Sequence, residues 1–118
     1  MAVYFETSEP SALLSEFNKR IKQTEQTGKI TTWEISDDGK FYTHKSKDWR
    51  GQAWFAATVD NGRLRFNIYP SEDDNVSMTA YGYYHGHLLE TFLNHFDQMF
   101  TLGSVTPLPA SPDKVQSA

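Results

Sequence analysis

The chain has 118 residues, 38% of them hydrophobic, and 11 basic against 15 acidic side chains give a net charge of −4. That length supports one domain around one core, and no basic run marks the face a nucleic-acid binder needs. No cysteine is present, which excludes disulfides, thiolate nucleophiles and cysteine-ligated zinc.

The opening residues, MAVYFETSEP, show neither the basic segment nor the apolar run of a signal peptide. No apolar stretch approaches the roughly 20 residues that span a bilayer. The expectation is a cytoplasmic protein with no membrane partner.

In chain order, Val3–Phe5 reads as a short strand. Ser8 looks like a helix N-cap, with Glu9 and Pro10 in the first turn. Pro10, Leu13, Leu14, Phe17 and Ile21 share one helical face, Glu16 and Arg20 form an i,i+4 pair, and Gly28 is a natural stop. The first helix is therefore expected over residues 9–27. Ile30–Ser36 is β-prone, Asp38-Gly39 is a hairpin signal and Phe41–His44 is the return strand. Two registers are open: a two-residue turn sets Tyr42 opposite Ile35, a three-residue turn sets Phe41 opposite Asp37. Lys45–Arg50 reads as a loop.

A second hairpin is better defined. Gln52–Val59 and Arg63–Tyr69 flank Asn61-Gly62, the preferred type I′ pair. Counting outward from Asp60 opposite Arg63 pairs Val59 with Leu64, Ala57 with Phe66 and Phe55 with Ile68. That face is wholly apolar and should meet the core. The other face pairs Thr58 with Arg65, Ala56 with Asn67 and Trp54 with Tyr69. Pro70 ends the strand, and Ser71–Asn75 is an acidic loop whose Glu72–Asp74 could attract a basic partner.

Val76–Tyr84 fits either a strand or a backward extension of the next helix. Valine, threonine and tyrosine favour strands, and two glycines inside a helix cost roughly 1 kcal/mol each. The segment is expected as a strand with Tyr81, Tyr83 and His85 on one side and Gly86 at the turn. From Gly86 to Phe100 the apolar residues Leu88, Leu89, Phe92, Leu93, Phe96, Met99 and Phe100 fall within an arc of about 140°, an amphipathic helix. Residues 103–118 contain three prolines among small and polar residues and read as a flexible tail, with an ordered segment near Val105. The sum is one α+β domain over residues 1–102. An antiparallel sheet of four to five strands carries two helices on one face, in α-β-β-β-β-β-α order.

The segments WRGQAWF (Trp49–Phe55) and YGYYHGHLLETFLNHFD (Tyr81–Asp97) resemble a family of small uncharacterised bacterial proteins with no assigned activity. The resemblance implies a bacterial α+β domain and transfers no catalytic residue.

Candidate chemistry is sparse. His85, His87, His95 and Asp97 suggest metal ligands, but no two histidines share a helical face at i,i+3 or i,i+4, so no metal or other cofactor is expected. His85, with Tyr81, Tyr83 and Arg65, could form a small polar site in a cleft between sheet and helices, open to small-molecule binding or acid–base chemistry. No nucleophile elbow, Walker loop or dinucleotide fingerprint occurs. Aromatics on an open sheet can stack RNA bases, but here only Arg65 accompanies them, so no nucleic-acid partner is expected. The leading reading is a non-enzymatic module that binds a protein or a second copy of itself. Its contact surface would be the outward aromatic face of Trp54, Arg65, Tyr69, Tyr81, Tyr83 and His85, residue types favoured at binding hot spots.

Overall fold

The computed structural model describes residues 2–70 and 77–108; the expected acidic loop and residues 109–118 of the expected tail lie outside them. The elements are β1 (Ala2–Glu6), α1 (Pro10–Lys22), β2 (Trp33–Ile35), β3 (Phe41–His44), β4 (Ala53–Asp60), β5 (Arg63–Pro70), α2 (Met78–Phe96) and β6 (Leu102–Val105). The strands form one antiparallel sheet in the order β2-β3-β4-β5-β1-β6. This is the α+β architecture expected, with one strand more than counted and a different element order.

The Asn61-Gly62 hairpin holds every pair read from the sequence, from Asp60 opposite Arg63 to Trp54 opposite Tyr69. Gly62 sits at φ +81°, where a side chain would be strained, so the turn needs glycine. Of its inward face, Phe55, Leu64, Phe66 and Ile68 are fully buried. Val59, next to the turn, is exposed. In the first hairpin, Ile35 lies opposite Tyr42, the register of the two-residue turn.

Both helices pack on the face of Phe55 and Phe66. Phe17 of α1 meets Phe66 edge-on at 5.7 Å between ring centres and lies 5.0 Å from Phe92 of α2. Phe92 stacks on Phe5 of β1 at 4.1 Å. Trp33 closes the core at β2 and donates its indole N–H to Thr91 Oγ1 at 2.9 Å. Burial of the Tyr42 hydroxyl pushes its pKa up to about 12, although it bonds to Asn18.

Four expectations about the helices need correction. α1 ends at Lys22, not 27, because Ile30 must turn back into the core; its amide bonds to Arg20 O at 2.9 Å, and Gly28 makes that turn at φ +75°. Its N-terminal hydroxyl is not Ser8. Glu9 is the cap residue, without a side-chain cap bond, and Thr7 Oγ1 takes the Glu9 amide at 3.1 Å. Met78–Tyr84 is helix, not strand: Ser77 Oγ accepts the Ala80 amide at 3.0 Å and α2 runs unbroken through Gly82 and Gly86. The physical reason is burial. Ala80, Tyr81, Tyr84, His85 and Leu88 recur at helical spacing and all lie inside, and two buried tyrosine rings outweigh two glycines at about 1 kcal/mol each. Finally, Leu93 points out of the apolar arc and is 58% exposed.

The ordered segment near Val105 is β6, which pairs with β1 from Val3↔Val105 to Glu6↔Leu102. Leu89 packs directly over Gly103, where an added Cβ would lie 3.1 Å from Leu89 Cδ2.

Candidate functional site

The six residues expected on one face divide into three environments. Trp54, Arg65 and Tyr69 do lie on the sheet face turned away from the helices. Tyr81, Tyr83 and His85 do not: the helical course of α2 puts them on the opposite side of the sheet, which corrects the expected common surface.

On the outer face, Trp54 and Tyr69 are direct cross-strand partners, and Phe41 of β3 meets Tyr69 edge-on at 6.2 Å. All three stay partly exposed. Arg65 is part of the framework beside them. Its Nε donates to Asp60 Oδ2 at 2.9 Å and its Nη1 to Asn67 Oδ1 at 2.6 Å. The Arg65 hydrogen bond, and then the charges of Arg65 and Arg63, hold the Asp60 carboxyl below the usual carboxylate range against a smaller opposing effect of burial. Arg63 lies over the Tyr4 ring at 4.3 Å. Among the described residues no helix lies over this face.

Tyr81 and His85 form a buried pair, rings stacked at 4.0 Å, with His85 Nδ1 bonded to Tyr81 O at 2.6 Å. Phe55 flanks the imidazole at 5.1 Å. This explains His85 as a core residue satisfied by its own helix. Tyr83, two residues away and therefore about 200° around the helix, points elsewhere. The cleft imagined between Tyr83 and His85 is thus two separate places.

Tyr83 belongs to a cluster that sequence reasoning missed. Its ring is sandwiched between Trp49 at 4.2 Å and His87 at 4.1 Å, both near-parallel. His44 stands edge-on to Tyr83 and to His87, each at 5.0 Å. Tyr84 donates its hydroxyl to Trp49 O, and Thr43 Oγ1 takes the Gly51 amide at 3.0 Å, so the β3–β4 loop is fastened to α2. Arg50 adds a two-pronged ion pair with Glu34 of β2, at 2.5 and 2.8 Å. His44 is 3% exposed. Its Nδ1 accepts the Ser46 amide at 3.1 Å, so the neutral ring carries its proton on Nε2. Nε2 has no partner among the described residues. Burial, then the nearby charge of His87, depresses the His44 pKa. A proton fixed on Nε2 also makes His44 a poor metal ligand there. Among the described residues no group of three or more His, Asp or Glu is placed to hold a metal ion, and no helix is long and apolar enough to cross a membrane.

No family model matches the chain, and no curated protein or solved structure is significantly similar to it. The functional reading therefore rests on the geometry above.

Proposed function

We propose that this chain is a non-enzymatic protein-binding module whose contact surface is the outer face of the sheet, centred on Phe41, Trp54 and Tyr69. The observation that carries the reading is the placement of three partly exposed rings on one sheet face while both helices occupy the other. The paired strands fix the backbones that carry the rings before contact, which lowers the ordering cost of binding. The Arg65–Asp60–Asn67 network supports the surface rather than reaching for a ligand. A cytoplasmic setting belongs to the same proposal, since a chain without cysteine needs no oxidising compartment. A bacterial source rests on the family resemblance.

A photoreactive amino acid at position 54 should capture a defined partner in cells, and the same group at position 19, on the exposed side of α1, should not. Capture of the same proteins from both positions would refute the assignment. Capture of a second copy from position 54 alone would make this face a self-association surface.

A further inference from the structure

We propose that β6 is a dimer strand, and that two copies pair β6 to β6 antiparallel across a two-fold axis at Ser104. This goes beyond the outer-face reading and uses a different surface.

The two edges of the sheet are built differently. β2 is three residues long and carries Glu34, which is tied to Arg50. Short, charged edges resist pairing with other chains. β6 is four residues long and lacks the charge: from Thr101 to Thr106 no side chain is charged. Three of the six large hydrophobic residues left exposed among the described residues also lie in or just after β6. Leu102 is 58% exposed, Val105 42% and Leu108 71%. Leu93 joins them. Tyr81 reaches Thr106 O and Leu89 covers Gly103, so α2 runs antiparallel beside β6 and Leu93 lies one turn further along that flank. Together these side chains expose on the order of 300 Å² of apolar surface per copy. Across two copies that is on the order of 600 Å², to which the paired strand backbones add.

The register follows from the ladder. The Thr106 amide donates to Ala2 O at 3.1 Å, in step with the pairs Tyr4↔Ser104 and Glu6↔Leu102. Antiparallel alternation then turns the amides and carbonyls of Gly103 and Val105 to the side of β6 that no other strand occupies among the described residues. Those groups can meet their own copies only if the two-fold passes through a residue. The regular ladder runs from Leu102 to Thr106, because Thr101 bonds to Glu6 O one step out of register and Pro107 ends the strand. Its centre is Ser104. That choice sets Gly103 opposite Val105 of the second copy, twice, and Ser104 opposite itself as a close, non-hydrogen-bonded pair. A self-complementary edge of this kind selects a second copy as its occupant.

Sedimentation velocity from low micromolar to submillimolar concentration should show a monomer–dimer equilibrium. Leu93→Glu combined with Leu102→Glu, both at exposed positions, should weaken it at least about tenfold without altering the circular dichroism spectrum. Trp54→Ala should leave it unchanged. Because the chain has no cysteine, Ser104→Cys gives an independent readout. Mild oxidation should link it into a reducible dimer much faster than Asn61→Cys at the exposed hairpin tip. A monomer throughout, a dimer that the double glutamate variant does not weaken, or equal cross-linking at 104 and 61 would each overturn the proposal. A dimer dissolved by Trp54→Ala alone would overturn it too, and would assign self-association to the outer face.

Discussion

Gly82 and Gly86 test the helical course of α2 most directly. Both lie on its exposed side, and an added Cβ at either meets no atom within 4 Å. Neither has a positive φ. Alanine therefore fits without strain, and it removes backbone freedom that glycine holds in the unfolded chain. In a helix interior each exchange is worth about 0.5–1 kcal/mol. The sites are one turn apart with no shared partner, so Gly82→Ala with Gly86→Ala should stabilise by about 1–2 kcal/mol. For a chain of this size that raises the melting temperature by about 4–8 °C. Urea unfolding followed by far-ultraviolet dichroism measures the change, with an unaltered m-value showing that the unfolding transition itself is the same. The helical dichroism signal should hold or rise in both variants, which a strand over this segment would not give. Loss of stability in either single variant would refute the helical assignment of this segment.

Three further outcomes follow from named contacts. Ser77→Ala removes the hydroxyl that accepts the Ala80 amide and should cost about 1 kcal/mol in urea unfolding. Trp33→Phe loses the bond to Thr91 Oγ1 and leaves a void beside Phe55 and Tyr84, for about 2–4 kcal/mol by the same assay. Stability should fall as pH drops below 6.5, the unperturbed histidine value, because the pKa of His44 is depressed by burial and then by His87, and that of His95 by burial and then by Arg20. The unfolded chain then binds protons that the native chain does not, so stability is complete above 6.5 and is lost as pH falls toward the depressed values. His44→Asn keeps an acceptor for the Ser46 amide and should flatten the slope; an unchanged slope would count against His44 as a source.

How much of this was legible depends on where the deciding contacts lie. The β4–β5 hairpin could be written out pair by pair, because Asn61-Gly62 pins the turn and alternation does the rest. Even the Arg65–Asp60 ion pair is implicit there, since Asp60 faces Arg63 and Arg65 follows two residues on along the same side. The start of α2 misled because local preferences of valine, threonine, tyrosine and glycine pointed to a strand. The spacing of Ala80, Tyr81, Tyr84, His85 and Leu88 points to a helix, and burial against Phe55 and Trp33 decides for it. The Trp49–Tyr83–His87–His44 cluster unites residues up to 43 positions apart, and only the way the β3–β4 loop folds onto α2 brings them together. Tyr83 at i and His87 at i+4 was the one local hint, and reading the segment as a strand hid it. β6 is short and weakly patterned; its partner, β1, lies about a hundred residues away.

The edge pairing and the outer face also make a joint geometric prediction. Joining two copies at β6 gives the strand order β4-β5-β1-β6 followed by its mirror sequence, so the two β4 strands stand seven strand spacings apart, about 34 Å. Thr58, on the outer side of β4 and in a chain without cysteine, can carry a single spin label as Thr58→Cys. Edge pairing predicts a label separation near that value, modified by sheet twist and label length. Stacking of two outer faces instead would bring the sheets to about 10 Å and the labels far closer. The distinction matters for function as well as assembly. In the edge-paired dimer both Phe41–Trp54–Tyr69 patches stay uncovered on one continuous surface, and a partner with two matching sites would gain from binding both at once. In the stacked dimer the same patches are spent on self-association. A separation near 34 Å with Trp54→Ala still dimeric would support the first arrangement, and a short separation lost in Trp54→Ala would establish the second.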